Sequence, residues 1–187
     1  NHTFFVSDEG VLTHNMNNVL KGCNFAKEGI EEVSESATKR TTKADFTGKL
    51  RGESVTLKDV KTKEISYIKR DSYELNTLRN DFNTSVRKSF LEDLSKNVEY
   101  LKEAGFTEKD ILKMQNGRVP DGWQVHHKLP LDDSGTNSFD NLVLIKNEPY
   151  HKVITNYQNS FVKQLEVGEI KSVNWPIPER NIYPQKH

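Results

Sequence analysis

The stretch from 117 to 165 constrains this chain most, because its order of elements can be read almost residue by residue. Pro120-Asp121-Gly122 has the chemistry of a turn. Residues 123–129, Trp-Gln-Val-His-His-Lys-Leu, read as a strand, and 130–138 as a polar loop containing Gly135. Residues 141–146, Asn-Leu-Val-Leu-Ile-Lys, read as a second, buried strand, and Pro149 suits the first turn of a helix over 150–165. His126 and His127 are neighbours on the first strand, so their side chains point to opposite faces. Asn141 opens the second strand, and His151 enters the helix 24 residues after His127.

Upstream, the hydrophobic period changes twice. Val55, Leu57, Ile65 and Tyr67 alternate with polar neighbours, with breaks at Gly48, Gly52 and 59–63, which predicts two or three antiparallel strands over 45–70. From Ser72 onward Leu75, Leu78, Phe82, Val86, Phe90, Leu94, Val98 and Leu101 recur every three or four residues, the mark of one amphipathic helix or two abutting ones. Gly105 stops it, and Thr107 with Asp110 three residues on forms a capping-box arrangement for a short helix through Met114. Residues 1–45 are weakly patterned, with short helices expected around 17–23 and 26–38. After Gly168 the tail, with Trp175-Pro176-Ile177-Pro178 and Tyr183-Pro184, is expected to run extended over the surface. The fold class is α+β: an N-terminal α/β accessory segment over 1–70, then a helical lead-in and a hairpin-plus-helix core (117–165) within 71–187.

Composition narrows the function classes. With 34% hydrophobic and 29% charged residues, the chain is polar but not of disordered composition. No apolar run approaches the roughly 18 residues that span a membrane. Cys23 is the sole cysteine, which excludes an internal disulfide and a cysteine-based zinc cluster; it reads as a small half-buried hydrophobe. Lys plus Arg equals Asp plus Glu at 27 each, so no overall basic excess announces a phosphate-bearing partner; a local basic face would have to supply it. The opening Asn-His-Thr-Phe-Phe-Val has neither an initiator Met nor a leader pattern, so the chain is expected to be a piece of something longer.

Two adjacent imidazoles, an Asn-led apolar strand and a further His at a helix are the ingredients of a one-metal phosphodiesterase. A neutral imidazole is a suitable base for water at physiological pH. A divalent ion offsets the negative charge that develops on the phosphoryl oxygens. In this order and spacing, residues 117–158 resemble the HNH (ββα-metal) nuclease core of DNase colicins, pyocins and polymorphic toxins. The His127-to-His151 spacing fits the colicin pattern, while Lys128, Pro130 and the Asn-Leu run fit the Rhs-type variants. A looser match covers Leu78-Arg79, Phe82 and Val86-Arg87, the helical lead-in of such toxins.

The resemblance implies roles for particular residues. His126 and His151 would bind the metal, His127 would be the general base, and Asn141 would orient the loop and base. Two positions depart from the colicin pattern. Thr155 stands where a further His is usual, with Asn156 beside it, so Asn156, Thr155 or water are the candidates for the third ligand. An Asn ligand would favour Mg²⁺ or Mn²⁺ over Zn²⁺; the metal is one of Mg²⁺, Mn²⁺, Ni²⁺ or Zn²⁺. Gln124 replaces the acidic residue two places before the His pair, unless Asp132, Asp133 or Asp140 takes its part. Lys128 and Arg118 could contact phosphate or be solvated surface charge. Arg79 and Arg87 read as structural, Trp123 as core, and His2, His14 and His187 as surface or satisfied histidines.

The resemblance further implies a largely sequence-nonspecific DNA endonuclease, the C-terminal toxin domain of an antibacterial effector or bacteriocin. It would be secreted or delivered, act in the target cell's cytoplasm, and be held in check by an acidic immunity protein. No sequence-reading helix-turn-helix or zinc finger is present in the sequence pattern. An RNase of the same fold is the rival within the class. A non-catalytic, metal-stabilised protein-interaction module is the rival outside it.

Overall fold

The computed structural model describes residues 45–185. The short helices expected around 17–23 and 26–38, Cys23, and His2, His14 and His187 lie outside the described residues. Twelve elements follow within them: β1 (Phe46–Leu50), β2 (Glu53–Leu57), β3 (Val60–Ile68), α1 (Ser72–Asp81), α2 (Arg87–Leu94), α3 (Val98–Glu103), α4 (Glu108–Gln115), β4 (Trp123–His127), β5 (Leu142–Lys146), α5 (Lys152–Val162), β6 (Ile170–Pro178) and β7 (Ile182–Tyr183). The α+β class stands. Among the described residues no helix is long and apolar enough to cross a membrane.

The helical lead-in follows its sequence signals closely. Asp71 caps α1 by accepting from the backbone N–H groups of Tyr73 and Glu74. A π-helical turn, Phe82–Val86, joins α1 to α2, so the long apolar stripe runs through one nearly continuous rod before breaking at residues 95–97. Gly105 takes the left-handed conformation just past α3 (φ 90°), and Thr107 and Asp110 close a reciprocal capping box on α4.

β5 is the spine of the molecule. Leu142, Val143, Leu144 and Ile145 are all fully buried, as a strand covered on both faces requires. Val143 and Ile145 pack with Phe46, Leu57, Tyr67, Val153, Ile154, Phe161 and Trp175. Leu142 and Leu144 pack with Phe90, Leu91, Leu101, Phe106, Ile111 and Met114. β4 pairs antiparallel with β5, setting His126 opposite Val143 and His127 opposite Leu142. Opposed residues share a face, so His126 faces the α5 side and His127 the helical lead-in. β7 adds a parallel third strand.

Three expectations need correction. The tail is not a surface run: β6 pairs with β3 over nine residues, from Val60 opposite Pro178 to Ile68 opposite Ile170, and Trp175 is fully buried. Pro176 and Pro178 are tolerated because β6 has one partner. Residues two apart turn their missing N–H toward the same free edge. For the same reason the boundary at 70 disappears. Phe46, Leu57, Val60 and Tyr67 share a core with Val143 and Trp175. Finally, β4 ends at His127, and α5 begins at Lys152 after a wide turn, Asn147–His151, that holds Pro149 and His151.

Candidate metal and phosphate site

A cavity of about 360 Å³ opens where β4 ends, between the lead-in helix and α5. Its wall is built by Arg79, Phe82 and Asn83 of the lead-in, His126 and His127 of β4, residues 130–132 of the loop, and His151, Thr155 and Gln158 from the α5 side. His151, Thr155 and Gln158 recur at helical spacing, which puts them on one face. All three histidines singled out in the sequence therefore meet at one place.

The rings of His126 and His151 lie edge to face, centroids 4.9 Å apart. Two imidazoles sharing one tetrahedral ion would put their centroids roughly 5 Å apart. His126 has no hydrogen-bond partner among the described residues, and no buried side-chain nitrogen there is left unpaired, so its ring nitrogens open to the cavity. Burial first, then the neighbouring His151 and His127, push its pKa down to about 3. Burial also lowers the pKa of His151. Neutral imidazoles with free lone pairs are the form a metal takes, so these two residues fit such an ion. Among the described residues no third His, Cys, Asp or Glu joins them; Thr155, its Oγ1 3.4 Å from His151 Nε2, is the nearest polar neighbour from α5.

Gln124 occupies the place of the acidic residue. Its amide nitrogen lies 2.6 Å from His151 Nδ1 and 2.6 Å from Asn147 Oδ1. The ends of an amide exchange without moving its heavy-atom frame. With the amides of Gln124 and Asn147 both turned over, Gln124 accepts an Nδ1–H from His151 and leaves the Nε2 lone pair for a ligand. Asp132 lines the cavity from the loop, its carboxylate accepting a 2.8 Å hydrogen bond from the buried Tyr67 hydroxyl, to which Gln158 donates. Asp133 is instead committed to the loop, accepting from Ile68 N–H.

His127 is buried, its ring 4.5 Å from that of Phe82 and its Nε2 3.0 Å from Asn137 Oδ1. Burial lowers its pKa, partly opposed by the Asn137 bond. Asn141 bonds to the loop between the two strands. Its Oδ1 accepts from Leu129 N–H at 2.8 Å, and its Nδ2 donates to the carbonyls of Leu129 and Thr136. The side chain continues the β4–β5 ladder past the last paired residue and closes the loop into a tight ring. Gly135 fits inside that ring because a Cβ there would sit 2.1 Å from Leu129 O.

Three expected site residues lie elsewhere. Asn156 turns to the β1 side of α5, donating to Lys49 O at 3.1 Å, because it is one position off the His151–Thr155 face. The Lys128 amine, one residue past the end of β4, reaches Glu179 O and Asn181 Oδ1 at 3.4 and 3.3 Å. Arg118 is exposed in the connection before β4 and does not line the cavity. Arg79, read from sequence as structural, is the cation in the wall. Its guanidinium has no ion pair or hydrogen bond to another described residue, and among those residues it is the one Lys or Arg side chain lining the cavity. Its place three residues before Phe82 on the apolar stripe was the only available signal.

The site thus defines a ββα arrangement with His126 and His151 side by side, His151 held by Gln124 and Thr155, a third imidazole on the opposite strand face, and a guanidinium without a side-chain partner among the described residues. No family model matches the chain, and no solved structure matches it. It is similar to "Uncharacterized protein YhhZ" of Escherichia coli (strain K12), at 51% identity over 139 residues. That alignment takes in 74% of this chain and 35% of the other, so the chain spans about a third of the relative it matches.

Proposed function

We propose that this chain is a metal-dependent endonuclease of the HNH type that hydrolyses DNA with little sequence preference. The observation that carries this reading is the meeting of His126, His151, His127 and Arg79 around one cavity. In it, His126 and His151 hold a divalent ion, which when bound supplies charge stabilisation for the phosphoryl and leaving oxygens. His127 accepts a proton from the attacking water, and Asn141 keeps the loop beside it in register. Arg79 pairs with a non-bridging phosphate oxygen, a role a planar guanidinium suits. Contacts of this kind address the phosphate backbone and carry no base information.

The biological setting follows as part of the same proposal. The chain acts as the toxin part of a longer antibacterial effector or bacteriocin, delivered into a target cell and neutralised in its producer by a compact acidic immunity protein. Complementary charge near the phosphate site would speed that association. Expression in bacterial cytoplasm without an inhibitor tests this setting: loss of viability with fragmented chromosomal DNA is expected. Healthy growth with intact DNA would end the toxin reading even if the purified chain cleaves plasmid.

A further inference from the structure

We infer that Asn137 is the positioning residue for His127, fixing which ring nitrogen serves as the base; this rests on the nuclease reading of the site. A backbone carbonyl can only accept a hydrogen bond. Asn137 places one amide end 2.9 Å from Leu78 O and the other 3.0 Å from His127 Nε2. The end at Leu78 must be the donating Nδ2, so the end at His127 is Oδ1, which also only accepts. His127 must then carry its proton on Nε2. Its Nδ1 holds the lone pair, has no partner among the described residues, and opens to the cavity.

The ring cannot readily turn to undo this choice. Phe82 packs against its face, and its β4 backbone is locked to β5 opposite Leu142. Asn137 belongs to the loop that Asn141 closes through Thr136 O, while Leu78 lies on α1. The base is thereby referenced to the lead-in helix that also carries Arg79. A neutral imidazole bases its catalysis on one nitrogen, and the hydrogen bond at the other sets which one. Sequence order alone gives no hint of the pairing, because Asn137 sits in an unpatterned Ser/Thr/Asn/Gly loop.

Imidazole ¹⁵N spectra of the full chain at neutral pH, read beside plasmid-nicking kinetics with Mg²⁺ or Mn²⁺, test the assignment. Wild-type His127 should show the Nε2–H tautomer. Asn137→Ala should lose that single tautomer, with kcat falling on the order of 10²-fold and KM nearly unchanged. Asn137→Asp keeps an acceptor oxygen and should restore the tautomer and part of the rate. An Nδ1–H tautomer in the wild type overturns the inference, as does Asn137→Ala with an unchanged tautomer and kcat. If the wild type nicks no DNA, the nuclease reading fails. The spectra still decide whether Asn137 sets the ring, so the two failures are told apart.

Discussion

At the scale of residues, the site is a set of imidazoles kept neutral by burial, and that has a consequence for stability. His126 titrates near 3 in the fold against 6.5 in an unfolded chain, and His127 and His151 are displaced in the same direction. Between those values the unfolded state binds more protons, so folding stability is fully present above about pH 6.5 and is lost as pH falls toward 3. Urea denaturation of the metal-free chain at a series of pH values should show this decline, and saturating divalent ion should lessen it above the point where protons displace the metal. A flat profile from pH 7 to 4 would contradict the neutral, buried state of these rings. Arg79→Ala should weaken DNA binding and lower the slope of log affinity against log salt by roughly one, measured by fluorescence anisotropy on a catalytically dead His127→Ala background. The histidines and Asn141 were legible because their element order is distinctive. Asn156 faces away because helical phase, not proximity to Thr155, decides its side of α5, while Lys128 and Arg118 lie outside the regular elements and take the surface alternative that the sequence left open.

At the scale of elements, the hairpin, the capped helices and the strand-rich 45–70 segment could be read from period and turn chemistry. The β3–β6 pairing could not. Pro176 and Pro178 argue locally against a strand, and a contact between residues more than 100 apart leaves no periodic trace of its partner. Trp175 makes the pairing consequential: it is fully buried beside Tyr67 and Tyr157, and its indole N–H donates to Lys128 O at 2.7 Å, directly after the two histidines. Trp175→Ala should cost about 3–5 kcal/mol, read as a lower denaturation midpoint, and should loosen the end of β4. A variant of wild-type stability would show that β6 is peripheral to the core. Thr155 and Asp132 were weighed singly in the sequence and Gln158 was not singled out; the cavity wall the three complete became visible only once α5, β3 and the loop had met.

Across the whole molecule net charge is zero, yet the cavity gathers three imidazoles and one guanidinium that has no side-chain partner among the described residues. On the proposed function, affinity for nucleic acid would have to come from local placement and from a bound ion, not from a global basic field. The two cores flanking β5 hold the lead-in helix and α5 on either side of it, and the side chains lining the cavity come from both sides of that spine. The central claim is that this shared cavity hydrolyses phosphodiesters with a metal. Nicking of supercoiled plasmid by the purified chain tests it most directly, with Mg²⁺, Mn²⁺, Ni²⁺ or Zn²⁺ added in turn, with chelator, and with His127→Ala. Metal-dependent relaxation is expected from the wild type, none in chelator, and a rate lower by about 10²–10⁴ for His127→Ala despite an unchanged fold. Intact plasmid with every metal, or equal nicking by His127→Ala, would contradict it.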